Sequence, residues 1–154
     1  MNKPAALADP ALADAPMFEP EAWRLTAKET ALTARARALG AGTFAARAER
    51  WDREAIFPTE NYADLHREGL LAICIPEAEG GLGADYRAYM LTAAELGRYC
   101  GATALTWNMH VCSTLWTGPL ADDLEMTPAD REAHAARRSA HYARIVRDGA
   151  IYSQ

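Results

Sequence analysis

Residues 58–83 read PTENYADLHREGLLAICIPEAEGGLG, and this stretch decides the fold because most of its positions have a defined structural role. Pro58 suits the first position of a helix, where a missing N–H costs nothing. Gly69 suits the end of that helix, since glycine adopts the left-handed conformation without steric cost. The apolar run of residues 70–75 stops at Pro76, and three closely spaced glycines follow. The stretch predicts a helix, a buried extended crossing, a glycine turn and a further helix.

The segment before this stretch predicts a long helix that bends. Glu19 and Glu21 flank Pro20, which favours a helix start there because carboxylates stabilise the positive end of the dipole. Apolar residues then recur at helical spacing, but Gly40 and Gly42 interrupt them, each costing up to about 1 kcal/mol relative to alanine. A bend near these glycines is expected. A coiled-coil seam is the alternative, and the glycines and many alanines disfavour it.

Two helices are predicted after the glycine turn. The first, capped by Asp85, runs from about Tyr86 to Tyr99, and its inner side is expected to hold Tyr86, Met90, Ala93, Leu96 and Cys100. The second covers about residues 102–117, and no acid, lysine or arginine occurs between residues 99 and 121. Polar residues scattered through this helix argue against a membrane span. A helix without charge on any side is instead expected at the centre of a core.

A last helix completes the predicted fold. Thr127 resembles a cap, the helix runs to about Arg147, and Gly149 stops it before an extended segment. The fold class predicted is all-α, an orthogonal or up-down bundle of about five helices, with a β-strand starting at the end of the chain. Residues 1–19 are expected to form a disordered lead-in, residues 20–148 the helical domain, and residues 149–154 the start of a β-domain.

Composition excludes several classes of function. The chain has 154 residues, of which 50% are hydrophobic and 24% charged, and this suits one globular domain. A net charge of −5 gives no electrostatic footprint for nucleic acid. The three cysteines are far apart, which argues against a zinc site and a disulfide framework, so buried thiols and a cytoplasmic location are expected. Residues 1–17 lack the features of a signal peptide, and Asp9 and Asp14 disfavour a transit peptide.

A set of short motifs keeps a fixed order and spacing along the chain. The motifs are Phe44, Ala48, Asp52, Phe57-Pro58, Gly69-Leu70-Leu71, Ile75-Pro76-Glu77, Gly80-Gly81-Leu82-Gly83, Glu95-Leu96-Gly97-Arg98 and His110. With these motifs, residues 25–154 resemble the N-terminal helical domain of the acyl-CoA dehydrogenase family. A Gly-Gly-x-Gly run alone would indicate only a turn, whereas the ordered set is specific.

The resemblance also implies a binding site on the uncharged helix. In the family, the corresponding helix lines the far end of the acyl-chain cavity. The positions carried over as acyl-pocket wall are Ala104, Leu105, Asn108, Met109 and Cys112, and their spacing suits one face of a helix. Asn108, with Trp107 beside it, suggests a cavity that is short or partly polar. The structural alternative is that Asn108 and His110 are a hydrogen-bonded buried amide and imidazole.

The rest of the implied enzyme lies outside these 154 residues. Family members bind FAD between domains and across a subunit interface, and a glutamate base removes the α-proton of an acyl-CoA while the β-hydride passes to the flavin. The resemblance therefore implies FAD, an acyl-CoA substrate of fatty-acid metabolism, and a dimer or tetramer when full length. The middle β-domain is expected to begin just after Gln154. Acyl-CoA oxidases, flavin-dependent monooxygenases and a non-catalytic helical interaction module remain as alternatives.

No catalytic, cofactor-binding or metal-binding residue is expected within the chain itself. His134 and His141 lack carboxylate or cysteine companions and are expected at the surface, and no hydrolase, metalloprotease or phosphate-loop motif occurs. Glu68 and Glu95 lie on amphipathic helices, where solvent-facing or packing roles account for them. His66 follows Leu65 on its helix and is expected to be partly buried.

Overall fold

The computed structural model describes residues 15–152, and over that range the chain forms helices and no strand. The helices are α1 Ala27–Leu39, α2 Ala45–Glu54, α3 Thr59–Arg67, α4 Tyr86–Gly97, α5 Gly101–Thr117, α6 Pro119–Asp122 and α7 Pro128–Asp148. A π-helical turn, Gly40–Phe44, joins α1 to α2, and two 3₁₀ turns, Leu70–Ala72 and Glu77–Glu79, lie between α3 and α4. The all-α fold predicted from the sequence is confirmed.

The N-terminal segment that is described lies against α4. The predicted disordered lead-in, residues 1–19, falls mostly outside the described residues, which begin at Ala15. The backbone N–H of Met17 donates to Glu95 Oε2 at 3.1 Å, and Arg98 donates to the Ala15 carbonyl at 2.9 Å. These two bonds hold residues 15–17 near the C-terminal end of α4.

The first helix begins later than the sequence predicts. Residues 20–24 form a turn, and α1 starts at Ala27 with Thr26 as its cap. The Thr26 hydroxyl accepts from the Glu29 N–H at 3.2 Å, and the Glu29 carboxylate accepts from the Thr26 N–H at 2.7 Å. This reciprocal pair satisfies two N–H groups at the start of the helix. Carboxylates beside Pro20 would interact only with the helix dipole, so the helix starts at the cap.

The bend expected near the two glycines is present as the π-helical turn between α1 and α2. Gly40 is buried, and a Cβ atom at this position would overlap the ring of Tyr99. Gly42 has nothing within 4 Å of where its Cβ would lie. Gly40 is therefore required because an aromatic ring packs directly on the helix backbone, whereas Gly42 has no such role.

A polar chain ties three helices together beside this bend. Arg47 of α2 donates to Asp64 Oδ2 at 2.7 Å and to Asn61 Oδ1 at 3.0 Å, both on α3. Asn61 in turn donates to the Thr103 hydroxyl of α5 at 2.9 Å. Because Asn61, Asp64 and Thr103 are buried, this chain orients α2, α3 and α5 relative to one another.

The crossing after α3 is buried as predicted, but it is not extended. Gly69 has a positive φ of 73°, and the next residues coil into the 3₁₀ turn Leu70–Ala72. The N–H of Ala72 donates to the Gly69 carbonyl at 3.1 Å, and the N–H of Ile75 donates to the Ala72 carbonyl at 3.2 Å. The prediction of an extended crossing was wrong because the part of the chain that the structure describes offers no strand with which the segment could pair its backbone.

The carbonyl groups of this crossing are instead satisfied from two sides. On one side, Trp107 Nε1–H donates to the Leu70 carbonyl at 3.0 Å, and His110 Nε2–H donates to the Leu71 carbonyl at 2.9 Å. On the other side, the glycine turn supplies three backbone bonds, Leu82 to Ala72, Gly83 to Ile75 and Ala84 to Ile73, at 2.8–3.1 Å. Gly81 is needed for this close approach, since a Cβ there would overlap the Ile75 carbonyl.

The inner side of α4 differs from the prediction. Asp85 caps the helix, and its side chain accepts from the Ala88 N–H at 2.8 Å. Of the predicted inner residues, Tyr86 is 64% and Met90 43% exposed. The buried residues of the helix are Ala88, Tyr89, Leu91, Thr92, Glu95 and Leu96. The prediction was right for Leu96 and Cys100, which are buried. It was wrong for Tyr86 and Met90 because Thr92 and Glu95 face the core instead, and their partners allow burial: Thr92 donates to the Ala88 carbonyl and Glu95 accepts from Arg98.

The final helix confirms both of its predicted ends. Thr127 accepts from the Asp130 N–H at 3.2 Å, and Gly149 ends α7 with a positive φ of 65°. Residues 150–152 have no regular secondary structure, so the strand expected after Gly149 does not form over the described residues, which offer no partner strand. No helix in the described range has the length and apolar character required to cross a membrane.

The contrast between the two helix glycines gives a matched test of the packing at the bend. Gly40→Ala is expected to lower the free energy of unfolding by about 1–3 kcal/mol because the new methyl group overlaps Tyr99. Gly42→Ala adds a methyl group in open space and is expected to be neutral or stabilising by up to about 1 kcal/mol. Urea unfolding of both variants measures the difference. Equal effects at the two positions would show that the Tyr99 contact does not constrain Gly40.

Candidate functional site

Helix α5 has one buried side and one exposed apolar side. Its core side chains include Thr103, Trp107, His110, Val111 and Thr114. The outer face, as we call it, consists of Leu105, Asn108, Met109, Cys112 and Trp116. Leu105 is 67%, Met109 39% and Trp116 61% exposed. The expectation of a helix buried on every side was therefore wrong. The helix lacks charge because one side packs in the core and the other side is an exposed apolar surface.

Four of the five residues predicted to line the acyl pocket lie together on this outer face. Leu105, Asn108, Met109 and Cys112 follow helical spacing, and Asn108 and Cys112 are half-buried. Ala104 is 9% exposed and lies on the flank of the helix near Gly97 of α4. Its small side chain lets α4 and α5 approach closely. The role of all five residues in a pocket stays a prediction.

Asn108 is the one amide of the outer face, and it is held by Tyr89 of α4. The Tyr89 hydroxyl donates to Asn108 Oδ1 and lies 3.9 Å from Cys112 Sγ. Tyr89 is 2% exposed and its ring centroid lies 5.7 Å from that of Trp107. Burial raises the pKa of Tyr89 well above its ordinary value, so the hydroxyl keeps its proton and remains a donor.

Sequence reasoning did not identify Tyr89, although a signal for it exists. Asp85 as the cap fixes the register of α4, and with that register Tyr89, Thr92 and Leu96 share one side of the helix. That side faces the core and α5. Tyr89 is the aromatic residue of this row, and the row packs against α5, so a contact between Tyr89 and a residue of α5 could have been predicted.

An apolar cavity of about 510 Å³ continues the outer face at one end. It lies between the start of α4, the end of α5 and the short helix α6. Its lining residues are Ala84, Asp85, Tyr86, Cys112, Leu115, Trp116, Pro119 and Leu120. The carboxylate of Asp85 is engaged in capping α4, so the cavity presents an almost wholly apolar wall. Cys112 is the predicted site residue that connects this cavity with the outer face.

His110 lies on the opposite, buried side of α5 and has two defined partners. Its Nε2–H donates to the Leu71 carbonyl at 2.9 Å, and its Nδ1 accepts from the Tyr152 N–H at 3.1 Å. This pattern requires a neutral imidazole protonated on Nε2. Burial lowers the pKa of His110 below its ordinary 6.5. His110 is therefore a structural imidazole that joins the crossing to the segment after α7. This agrees with the alternative of a hydrogen-bonded buried imidazole.

Of the remaining titratable candidates, Glu95 and His134 have hydrogen-bond partners, whereas His141 Nε2 is buried without one within residues 15–152. Glu95 is buried and accepts from Arg98 at 2.7 Å, whereas Glu68 is half-buried. His134 is partly buried and pairs with the Thr117 carbonyl at 3.0 Å, and the His141 ring centroid lies 4.0 Å from that of Tyr152. Within residues 15–152, no group of three or more histidine, cysteine, aspartate or glutamate residues could hold a metal ion.

A family model and individual relatives both match this chain to acyl-CoA dehydrogenases. The family model described as acyl-CoA dehydrogenase, N-terminal domain, matches residues 26–120. Over 73 residues the chain is 38% identical to the mitochondrial short-chain specific acyl-CoA dehydrogenase of Mus musculus. This alignment covers 47% of the chain and 17% of that protein. It is 36% identical over 73 residues to the probable acyl-CoA dehydrogenase YngJ of Bacillus subtilis, covering 47% of the chain and 19% of the relative.

A third relative is named for a different reaction. The chain is 36% identical over 64 residues to the acryloyl-CoA reductase (NADH) of Anaerotignum propionicum. This alignment covers 42% of the chain and 16% of that protein. The chain therefore matches 16% to 19% of the length of these three relatives. These alignments concern one part of each relative.

The neutral state of His110 predicts a pH dependence of stability. Unfolded histidine takes up a proton near pH 6.5, whereas burial lowers the pKa in the fold. The unfolded chain thus binds more protons below that pH, so the stabilisation is present above about pH 6.5 and is lost as pH falls below it. His110→Gln is expected to reduce the slope of unfolding free energy against pH between pH 7 and 5 by up to about 1.4 kcal/mol per unit. Denaturant unfolding of both proteins at several pH values measures this slope. Parallel slopes in the two proteins would contradict a buried neutral imidazole.

The exposed apolar face predicts binding of a hydrophobic dye by the 154-residue chain. Anilinonaphthalene sulfonate is expected to bind near Trp116, because contiguous apolar surface attracts it. Trp116→Ser is expected to lower the dye fluorescence about two-fold or more by removing apolar area from the face. Trp23→Ser is the matched control, since Trp23 is 51% exposed but lies on the N-terminal turn. An equal loss in both variants would mean that the dye does not select the outer face.

Proposed function

The chain belongs to the acyl-CoA dehydrogenase family, and from this premise we propose that it is the N-terminal domain of an FAD-dependent oxidoreductase. The reaction proposed is removal of hydrogen from the α and β carbons of an acyl-CoA thioester. In this proposal, the outer face of α5 forms one wall of the pocket that holds the acyl chain. Assembly into a dimer or tetramer, a cytoplasmic location and a role in fatty-acid metabolism are further parts of it.

The observation that carries the proposal is the chemistry of the outer face. An acyl chain is hydrocarbon, so a wall that binds it must offer apolar area and no charge, because an unpaired charge would lose its hydration on contact. Leu105, Met109 and Trp116 are exposed apolar side chains, and no acid, lysine or arginine occurs from residue 99 to residue 121. Most surface helices of a globular protein carry charge on their exposed side. The outer face of α5 therefore suits an apolar chain.

The size of the side chains on this wall bears on the length of the acyl group. Leu105, Met109 and Trp116 are large and project from the helix, so the wall they form is raised rather than recessed. A raised wall shortens the slot between itself and whatever covers it. We therefore expect short acyl chains to be favoured, which agrees with the short-chain specific name of the Mus musculus relative.

FAD is proposed for the enzyme but not for these residues. A flavin ring carries several nitrogen and oxygen atoms that require donors and acceptors. The outer face offers one amide, Asn108, whose oxygen is already engaged by Tyr89. Its other members are apolar or weakly polar. The outer face therefore does not fit the flavin ring, and we assign no step of flavin chemistry to it.

The test of the proposal is an assay of the full-length protein with acyl-CoA thioesters of four to sixteen carbons. Reduction of an artificial electron acceptor that depends on acyl-CoA supports a dehydrogenase. Acyl-CoA-dependent formation of hydrogen peroxide would indicate an oxidase instead. Oxygen consumption that requires reduced flavin and no acyl-CoA would indicate a monooxygenase. No turnover in any of these assays would favour a non-catalytic interaction module.

Shortening a side chain of the wall gives a prediction about chain length. Met109→Ala is expected to move the optimum of kcat/KM to longer acyl chains, because it deepens the slot. Each further buried methylene contributes about 0.8 kcal/mol, or about four-fold in kcat/KM. The control is Arg137→Ala on the exposed side of α7, which is expected to leave the chain-length profile unchanged. An unaltered profile in Met109→Ala would remove this residue from the pocket.

A further inference from the structure

The pairing of Asn108 with Tyr89 carries an inference about which acyl groups the pocket selects. We propose that Asn108 donates a hydrogen bond from Nδ2 to an uncharged oxygen in the distal part of the acyl group, such as a keto or ether oxygen. The pocket would then select oxygenated acyl chains over hydrocarbon chains of the same size. This inference rests on the proposed function, because it concerns the same pocket.

The orientation of the Asn108 amide is set by a neighbour that cannot move easily. Tyr89 is 2% exposed, and its ring lies between α4 and α5 against Trp107. Its hydroxyl donates to Asn108 Oδ1, and the raised pKa keeps that hydroxyl protonated. With the oxygen of the amide committed to Tyr89, the NH₂ group is the part that remains available. Tyr89 is thus a positioning residue for Asn108.

The available NH₂ group lies among apolar neighbours. Among residues 15–152, the hydrogen bond of Asn108 involves its Oδ1, and the half-buried side chain leaves Nδ2 open to solvent or to a ligand. On the outer face, Leu105 lies three positions before Asn108, Met109 follows it directly, and Cys112 lies four positions after it. When an acyl chain covers this face, a plain hydrocarbon displaces the water and leaves the donor unpaired, which is unfavourable. An oxygen atom at the same place restores the hydrogen bond.

The charge of the surroundings restricts the kind of oxygen. A carboxylate would require a cation to offset its desolvation, and no lysine or arginine occurs on α5 or α6. An alkylammonium group, the form that an alkyl amine takes near pH 7, has donors and no acceptor and would face another donor. An uncharged oxygen that accepts is the group that matches Nδ2. The selected class is therefore neutral oxygenated acyl chains, not dicarboxylic or amino acyl chains.

The experiment compares matched substrates in the full-length protein. Octanoyl-CoA is tested against its analogues in which carbon 5, 6 or 7 is replaced by an ether oxygen, and hexanoyl-CoA against its 5-oxa analogue. An ether oxygen accepts but does not donate, and it has nearly the size of a methylene group. The dissociation constant and kcat/KM with an artificial acceptor are measured for each thioester, and the ratio of oxa to hydrocarbon substrate is the readout.

Three variants separate the amide from its surroundings. In Asn108→Leu the oxa-to-hydrocarbon ratio is expected to fall about ten-fold for at least one oxygen position, the change expected for loss of one hydrogen bond. In Tyr89→Phe the amide remains but loses its orientation, and a fall of about three-fold is expected. Met109→Leu keeps an apolar wall of similar volume, so both substrates change together and the ratio stays within about two-fold. Thermal unfolding of each variant checks that the fold is retained.

The outcomes distinguish the inference from the function on which it rests. Turnover of octanoyl-CoA or hexanoyl-CoA with the same ratio in wild type and Asn108→Leu would overturn the inference and leave the proposed function standing. A ratio that falls equally in Asn108→Leu and Met109→Leu would also overturn it, since the effect would then reflect shape alone. Absence of both binding and turnover for every acyl-CoA would reject the proposed function itself, and the inference with it.

Discussion

The structure depends on satisfying the backbone of one buried, irregular segment. Residues 70–75 cross the interior without a partner strand, and each unpaired carbonyl there would cost about 1–3 kcal/mol. Trp107 and His110 of α5 supply side-chain donors on one side. Amides of the glycine turn supply backbone donors on the other. The segment and α5 are therefore joined by hydrogen bonds that satisfy buried backbone groups.

This constraint also decides which side of α5 is left outside. Trp107 and His110 are three positions apart, so their side chains share one side of the helix and fix its rotation about its own axis. With that side turned inward, Leu105, Met109 and Trp116 must point away from the core. The exposed apolar face is thus a consequence of the backbone hydrogen bonds in the interior. The orientation of this face is fixed, because rotating α5 would break the buried hydrogen bonds of Trp107 and His110.

Sequence reasoning succeeded where a residue type has one local structural use. Gly69, Thr127 and Gly149 were assigned their roles because caps and positive φ angles have few alternatives. It failed where tertiary partners decide. The inner side of α4 contains buried Glu95, which is acceptable only because Arg98 and a backbone N–H contact its carboxylate. The crossing has the composition of a strand, but residues 15–152 contain no strand with which it could pair, and it forms a 3₁₀ turn instead. The candidate site came from family resemblance, and Tyr89 was missed because it lies on another helix.

The contact between Tyr89 and Asn108 links the outer face of α5 to the buried crossing. Tyr89 is held by the core through Trp107, and Trp107 is held by the Leu70 carbonyl. The position of one amide on the outer face is therefore linked, through two rings, to the backbone of the buried crossing. Where α4 and α5 approach closely, at Gly97 and Ala104, small side chains keep the helices at the distance that this contact requires. A polar group set into an apolar wall and held from within by the core is an arrangement suited to recognition, because a freely rotating amide would lose much of the discrimination that a single hydrogen bond provides.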